Sequence, residues 1–463
     1  MNSNTNASSK MVLIDETASI DLAKRLLQQK QINLDDVVGA QVIDVNSSPT
    51  VIVYSYPLVK YRRTATSTEL GHCNSSDDAK KLCQAVKSVA GIPLKRRNMI
   101  VVINPKSGKG LAQQVWQQNC IEMLSKHANI NFKNENVILT TRANEATELA
   151  EHWDLSYIDG ILAVGGDGTM YEIIQGLMKR KDLNEIRKIP LALISGGSGN
   201  AWSCSILYLS GMEKGLDSLQ TTSTNMAFLV ARGKFKALDL SIAENNPQGK
   251  MYSFLSLNWG FAAAVDIESE VCRCCGGLRF TCYAIKLIWC SCATYNATLH
   301  YLPLSRDDNN VMSKDIENGS SKNNDDGTNI NIDVLVENDL LPSLNTPIEG
   351  KGWKTIDLHQ NQFFMASQMP TLGGDMIINP NSKLDDGIIN VQILDRANAC
   401  AFTKLLLDVE TGEHLNGSAV RVIDCVALRL EPKDGLVVVD GELVEREPVQ
   451  MQIHKGFLNA FCT

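Results

Sequence analysis

Between Met99 and Asn200 the chain alternates continuous apolar segments with segments of helical periodicity, and this alternation restricts the fold more than any other feature. Residues 99–103, 160–164 and 190–194 are apolar runs that fit strands, and 137–140 is a shorter fourth. Residues 111–125, 144–152 and 170–179 carry helical spacing between them. Strands apolar on both faces, alternating with helices, belong to a parallel sheet covered on both sides. Right-handed crossovers then bring the strand-to-helix turns to one sheet edge.

Three of those turns are glycine-rich. Asn104-Pro105-Lys106-Ser107-Gly108-Lys109-Gly110 follows one strand, Gly165-Gly166-Asp167-Gly168-Thr169 another, and Ser195-Gly196-Gly197-Ser198-Gly199-Asn200 a third. Each precedes a helix start, where unpaired backbone N–H groups and the positive dipole end attract phosphate. Glycine lets the backbone approach closely and adopt positive φ. One such turn could serve only to reverse the chain, but three on one edge point to a phosphate site. The pattern is not a Walker A loop, because Lys109 is followed by Gly110 rather than Ser or Thr. Nor is it the dinucleotide fingerprint, because Gly108 and Gly110 lack the third glycine. Asp167, set between glycines, can take a proton from an attacking hydroxyl or help hold Mg²⁺. A helix cap is the plainer role for an aspartate at such a place.

Elsewhere the texture differs. Residues 1–97 read as a small α+β unit, with helices at 19–30 and 77–90 and strands at 42–45 and 50–54. Beyond about residue 225 strand-like segments dominate, at 226–232, 237–242, 252–257, 420–430 and 436–439, as an antiparallel sandwich requires. A polar stretch at 306–352 interrupts them, expected to hold a disordered loop at 307–328 and a strand at 331–336. The expected division is 1–97, 98–225 and 226–463. The expected fold class is a three-layer α/β nucleotide-binding domain followed by a β-sandwich, with the nucleotide in the cleft between them.

Composition removes several functions. Lys and Arg total 44 against 52 Asp and Glu, a net charge of -8, which does not suit a general nucleic-acid binder. No apolar run reaches the length of a membrane span, and the first ten residues, MNSNTNASSK, hold no signal-peptide core. The 13 cysteines are expected to be reduced thiols. Those at 272, 274, 275, 282, 290 and 292 crowd together without a nearby His, which argues against zinc.

The three turns in this order, N-P-x-S-G-K-G, G-G-D-G-T and G-S-G-N, resemble those of the diacylglycerol kinase superfamily, and in particular the sphingosine (sphingoid long-chain-base) kinases. Gly197-Ser198-Gly199-Asn200-Ala201 is similar to the sphingosine kinase form of the third motif. Trp259-Gly260-Phe261-Ala262, the run from Val265 to Glu270, Arg273, Leu278-Arg279-Phe280 and Val439-Asp440-Gly441-Glu442 extend the likeness. The resemblance implies an ATP- and Mg²⁺-dependent kinase that phosphorylates the primary hydroxyl of a sphingoid base, giving a 1-phosphate used in signalling. It implies Asp167 as general base, with Gly168 beside the substrate, and Asp266 as the partner of the amino-alcohol head group. ATP would be bound by Asn104, Ser107, Gly108 and Lys109, by Thr140 and Asn144, and by Gly165, Gly166, Gly168 and Thr169. Gly197, Ser198, Arg273, Arg279, Asp440, Gly441 and Glu442 would complete that site; the metal ligands are not implied.

Some positions depart from the family pattern. Ser195-Gly196 replaces Pro-Ala, Glu145-Ala146 replaces His-Ala, Asn390 ends the Asp-Gly-x-Leu-Asp pattern, and Ala264 stands where an acid is common. Asp266 taken alone could be an outward acid on a strand at 265–267. Residues 278–289 are expected to form an amphipathic helix, a lid over the acyl chain that touches the membrane through residues such as Leu287. The expected location is cytoplasmic with transient, peripheral membrane contact. A kinase of diacylglycerol or ceramide, or a non-catalytic lipid- or nucleotide-binding regulator, is the alternative.

Overall fold

A computed structural model describes residues 16–45, 47–271, 278–291, 293–304, 340–350, 352–417 and 419–463. The expected loop and strand within 306–339, Arg273, and Cys272, Cys274, Cys275 and Cys292 lie outside the described residues.

The parallel sheet forms as the apolar runs require. Its order is Val137–Leu139, Met99–Ile103, Gly160–Gly165 and Pro190–Ser195. The last three are buried along their whole lengths, which is why they carry no alternation. The neighbouring strand is the C-terminal one, Val449–Phe461, which joins Pro190–Ser195 in parallel through Asn459 opposite Pro190 and Ala460 opposite Leu191. The same strand pairs antiparallel with Phe235–Asn245 and Arg421–Pro432. From there the sheet continues through Ile389–Leu394, Phe363–Ser367, Ser256–Trp259 and Val437–Val439. The α/β unit and the antiparallel part, whose separate core includes Trp259, Phe364 and Val391, therefore share one hydrogen-bonded sheet, of 15 strands among the described residues. Sequence reading placed both layers in order but did not show that they were joined.

Two expected strands are helices. Residues 226–232 belong to the helix Leu219–Arg232, whose start is capped by Ser218 accepting from Thr221 N and whose end has Gly233 at φ 74°. Arg97 donates to its terminal carbonyls at Val230 and Ala231, each at 2.9 Å. Every residue from Thr221 to Arg232 is buried, so the run lost the polar face that marks most helices. Likewise 265–267 lies in the helix Phe261–Glu268, which begins after Gly260 at φ 66°. A side chain on Gly260 would stand 2.7 Å from the Tyr295 ring.

The N-terminal residues build a three-stranded antiparallel sheet, Val37–Val45, Ser48–Ser55 and Thr66–His72, backed by the helices Glu16–Gln29 and Ser76–Val89. Tyr56 and His127 share a 2.7 Å hydrogen bond, and the His127 ring stacks on Tyr54 at 4.0 Å, which ties this unit to the parallel sheet's helical layer.

Phe461 lies at the seam between the two parts of the sheet, buried against Gly160 and Met99. Phe461→Ala is expected to cost about 3–5 kcal/mol, read as a lower urea midpoint at unchanged slope.

Candidate active site

The three glycine turns touch one another at the sheet edge. Gly196 N donates to Gly165 O at 2.7 Å, and Asn104 N donates to Val164 O at 3.0 Å. A methyl group on Gly197 would sit 2.4 Å from Gly166 Cα, and one on Gly108, at φ 55°, 2.8 Å from the Gly197 carbonyl carbon. Loop-against-loop packing thus requires glycine here, independently of any ligand. Side chains stiffen the turns. The Asn104 side chain accepts from Lys106 N at 3.0 Å and donates to Thr169 Oγ1 at 3.3 Å. Asn200, in the left-handed region at φ 57°, accepts from Gly197 N at 2.9 Å and donates to Gly197 O at 3.0 Å. Ser107 faces Gly166, while Lys109 and Ser198 are exposed. Thr140 is buried beside Ile103 O, and Asn144, at φ 61°, opens the helix Glu145–His152. Lys106 Nζ reaches Thr141 O at 3.1 Å and so connects that turn to the first loop.

Asp167 is the first residue of the helix Asp167–Leu177, after Gly166. Its carboxylate caps a different helix, accepting from Ala201 N and Trp202 N at 2.9 Å each. Burial of the carboxyl raises its pKa, and those amides act in the opposite direction. The cap and the proton acceptor are therefore compatible roles, because the cap fixes the group's orientation.

Asp266 lies on the helix Phe261–Glu268, and burial pushes its pKa up to about 6. Arg279 opposes that rise, while Glu270, Glu442 and Asp167 add to it. These five residues thus share one electrostatic neighbourhood. Gly441 approaches it from the sandwich side, with room for a methyl 4.0 Å from Asp266 Oδ2, and a methyl on Gly168 would lie 4.0 Å from Glu442 Oε1. Glu442 is raised by burial, Glu172 and Glu270. Arg279 is buried, bonded to Glu270 at 3.0 Å and set 4.3 Å above the Phe280 ring. Its buried Nε finds no hydrogen-bond partner among the described residues.

Asp440 stands apart from this group. It accepts from Ser253 Oγ at 2.7 Å and from the backbone N–H groups of Phe254, Leu255 and Ser256 at 2.8, 3.1 and 2.8 Å. Burial pushes its pKa up to about 6 against those bonds. Its carboxylate anchors the turn that presents Gly441 and Glu442. Sequence reasoning gave no role to Glu270 or Asn200, although the four-residue step from Asp266 to Glu270 was a usable signal.

Phe261, at the start of the helix that carries Asp266, borders a cavity of about 610 Å³ that is also lined by Leu287, Ile288 and Phe402, with Arg396 and Asn398 among its polar residues. Leu287 is buried in this wall and does not face outward as expected; Ile285 and Trp289 of the same segment are 47% and 54% exposed. Among the described residues no group of three His, Cys, Asp or Glu is arranged to hold a metal ion, and no helix is long and apolar enough to cross a membrane.

Residues 98–231 match the diacylglycerol kinase catalytic domain, and residues 355–462 match the YegS C-terminal NAD kinase beta sandwich-like domain. A solved structure from Bacillus anthracis, described as a candidate diacylglycerol kinase, shares the fold with a TM-score of 0.53 at 17% identity, covering 80% of this chain and 99% of its own. Fold and site together define a lipid kinase of the diacylglycerol kinase superfamily. Human sphingosine kinase 1 is 30% identical over 364 residues, covering 78% of this chain and 89% of its own. Sphingoid long chain base kinase 4 of Schizosaccharomyces pombe is 28% identical over 447 residues, covering 90% and 88%. The chain belongs to the sphingosine kinase family and is a phosphotransferase.

The loop geometry is open to a direct check. Gly197→Ala forces backbone apart and is expected to cost about 1–3 kcal/mol in unfolding experiments. Gly168→Ala, which has room, is expected to stay within about 0.5 kcal/mol of the parent.

Proposed function

We propose that the protein transfers the γ-phosphoryl group of ATP to the primary hydroxyl of a sphingoid base, giving the 1-phosphate. The observation that carries this reading is the grouping of Asp167, Asp266 and Arg279 at the glycine-loop edge, with a cavity of mixed apolar and polar lining bordered by Phe261 of the same helix that holds Asp266. The nucleotide phosphates rest on Asn104, Ser107, Gly108, Lys109, Gly165, Gly166, Gly168, Thr169, Gly197 and Ser198, with Thr140 and Asn144 at the flank. Arg279, whose Nε is free to donate, and Arg273 counter the phosphate charge. Gly441 and Glu442 close the site from the sandwich.

Asp266 pairs with the ammonium of the head group, and the alkyl chain follows Phe261 into the cavity. Asp167, held by the Ala201 and Trp202 amides, takes the hydroxyl proton as the oxygen attacks in line. Its raised pKa brings it closer to the working pH, where a general base is most effective. The site fits Mg²⁺, since Glu442 stands beside Gly168 at the loop edge with Glu172 and Glu270 near it, and Mg²⁺ takes only one or two carboxylates beside phosphate oxygens. Glu442 would hold the ion, which when bound neutralises charge on the transferring group. The segment 278–291 covers the cavity, and the enzyme works in the cytoplasm with peripheral membrane contact.

Asp167→Asn is expected to keep ATP binding and to lower kcat by about 10²–10⁴; normal turnover would refute the base. The pH dependence has a definite sign. Asp266, raised to about 6, carries its charge above that pH and loses it below. The KM for sphingosine should therefore be about tenfold higher at one pH unit below that value. Asp266→Asn should abolish the dependence, leaving the KM for ATP unchanged.

A further inference from the structure

We infer that the hairpin built on Leu58–Val59 and Arg62–Arg63 docks this enzyme on an anionic bilayer surface. The inference deepens the reading above by naming the surface through which a membrane-borne substrate is approached. The two short strands pair Leu58 with Arg63 and Val59 with Arg62 across the turn Lys60-Tyr61. Leu58, Val59 and Tyr61 are 46%, 52% and 52% exposed. Single exposed apolar residues are ordinary on a soluble protein, but three in four positions at a tip form an apolar point.

The turn is also strained. Lys60 and Tyr61 have φ of 47° and 71°, a conformation that two-residue hairpin turns normally give to Asn-Gly. A tyrosine pays a steric penalty there, so packing of the hairpin alone does not account for these residue types.

Charge selects the occupant. No acidic residue occurs between Asp44 and Glu69, although the chain as a whole carries -8. Arg63 is held by Asp36, which leaves Lys60 and Arg62 as the cations beside the apolar tip. Lys214 adds a third, 5.9 Å from the Tyr61 ring, on a loop that Glu213 and Asp217 balance. Cations around a small apolar point suit the headgroup region of a bilayer bearing anionic lipid.

The hairpin is fixed to the catalytic unit. Asn225 accepts from Arg63 N at 2.9 Å and donates to Tyr61 O at 2.8 Å, and the Arg63 guanidinium lies 4.0 Å over the Phe228 ring. From the tip, close contacts lead to the substrate side. Gly215 lies against Tyr61, and Gly374 against Leu216 O. Leu372 and Met376, from the turn that holds Gly374, pack on the cluster containing Phe261, Leu287 and Ile288. Leu372 O and Asp167 both border Gly199. A tip seated in headgroups would thus be rigidly connected to the lipid cavity.

The test uses the full chain and phosphatidylcholine vesicles with or without phosphatidylserine, in co-sedimentation. Binding is expected to favour the phosphatidylserine vesicles and to weaken with salt. Leu58→Glu with Val59→Glu should lower it about tenfold or more, as should Lys60→Glu with Arg62→Glu. Val59→Trp should shift its fluorescence to the blue on those vesicles. Leu58 and Val59 already face solvent, so these variants should keep the parent circular dichroism and the parent rate on sphingosine in detergent micelles. Unchanged binding by both double variants, or a Val59→Trp emission that vesicles do not move, would overturn the proposal. The binding assay contains neither nucleotide nor sphingosine, so its result stands apart from that of the phosphotransfer assay.

Discussion

The pairing of Asn459 with Pro190 and Ala460 with Leu191 is short, yet the arrangement of the site depends on it. Through it the C-terminal strand extends a parallel sheet into an antiparallel one, so the two parts cannot be placed independently. The parallel part supplies the glycine turns and Asp167. The antiparallel part supplies Asp266, on a helix that leaves the strand Ser256–Trp259, and the turn at Asp440. Asp440 then uses its carboxylate to gather the backbone from Ser253 to Ser256, which fixes Gly441 and Glu442 opposite Gly168.

Polar groups at this site have structural partners as well as proposed chemical roles. Asp167 caps the helix Ala201–Leu209, Asn104 and Asn200 stiffen their own loops, and Arg279 is engaged by Glu270. Such second partners preorganise a site for phosphoryl transfer, where positioning and electrostatics outweigh covalent chemistry. Burial is the main reason that Asp266 rises to about 6; Arg279 opposes the rise, and Glu270, Glu442 and Asp167 add to it.

Legibility varied with the kind of signal. The strands at 99–103, 160–165 and 190–195 were readable because burial on both faces leaves an unbroken apolar run, and the glycine turns after them because their order is specific. The same rule misled at 226–232, since a fully buried helix shows the same run. At 265–267 the alternation was too short to separate strand from helix. Leu287 has the spacing of an outward lid residue, and only the packing of Phe261 and Phe402 shows that it faces the cavity.

The sequence by itself determined the order of the two architectures, the family, and the residue types along the glycine-rich edge, because these are local patterns of hydrophobicity and turn chemistry. Tertiary structure decided what those patterns could not encode. It joined the sheets through the last strand, assigned the carboxylate of Asp440 to the backbone, and brought Asp266, Glu270, Glu442 and Arg279 together from separate elements. Proximity between residues distant in the chain follows from which surfaces pack and which strands pair, and spacing along a single sequence does not contain that information.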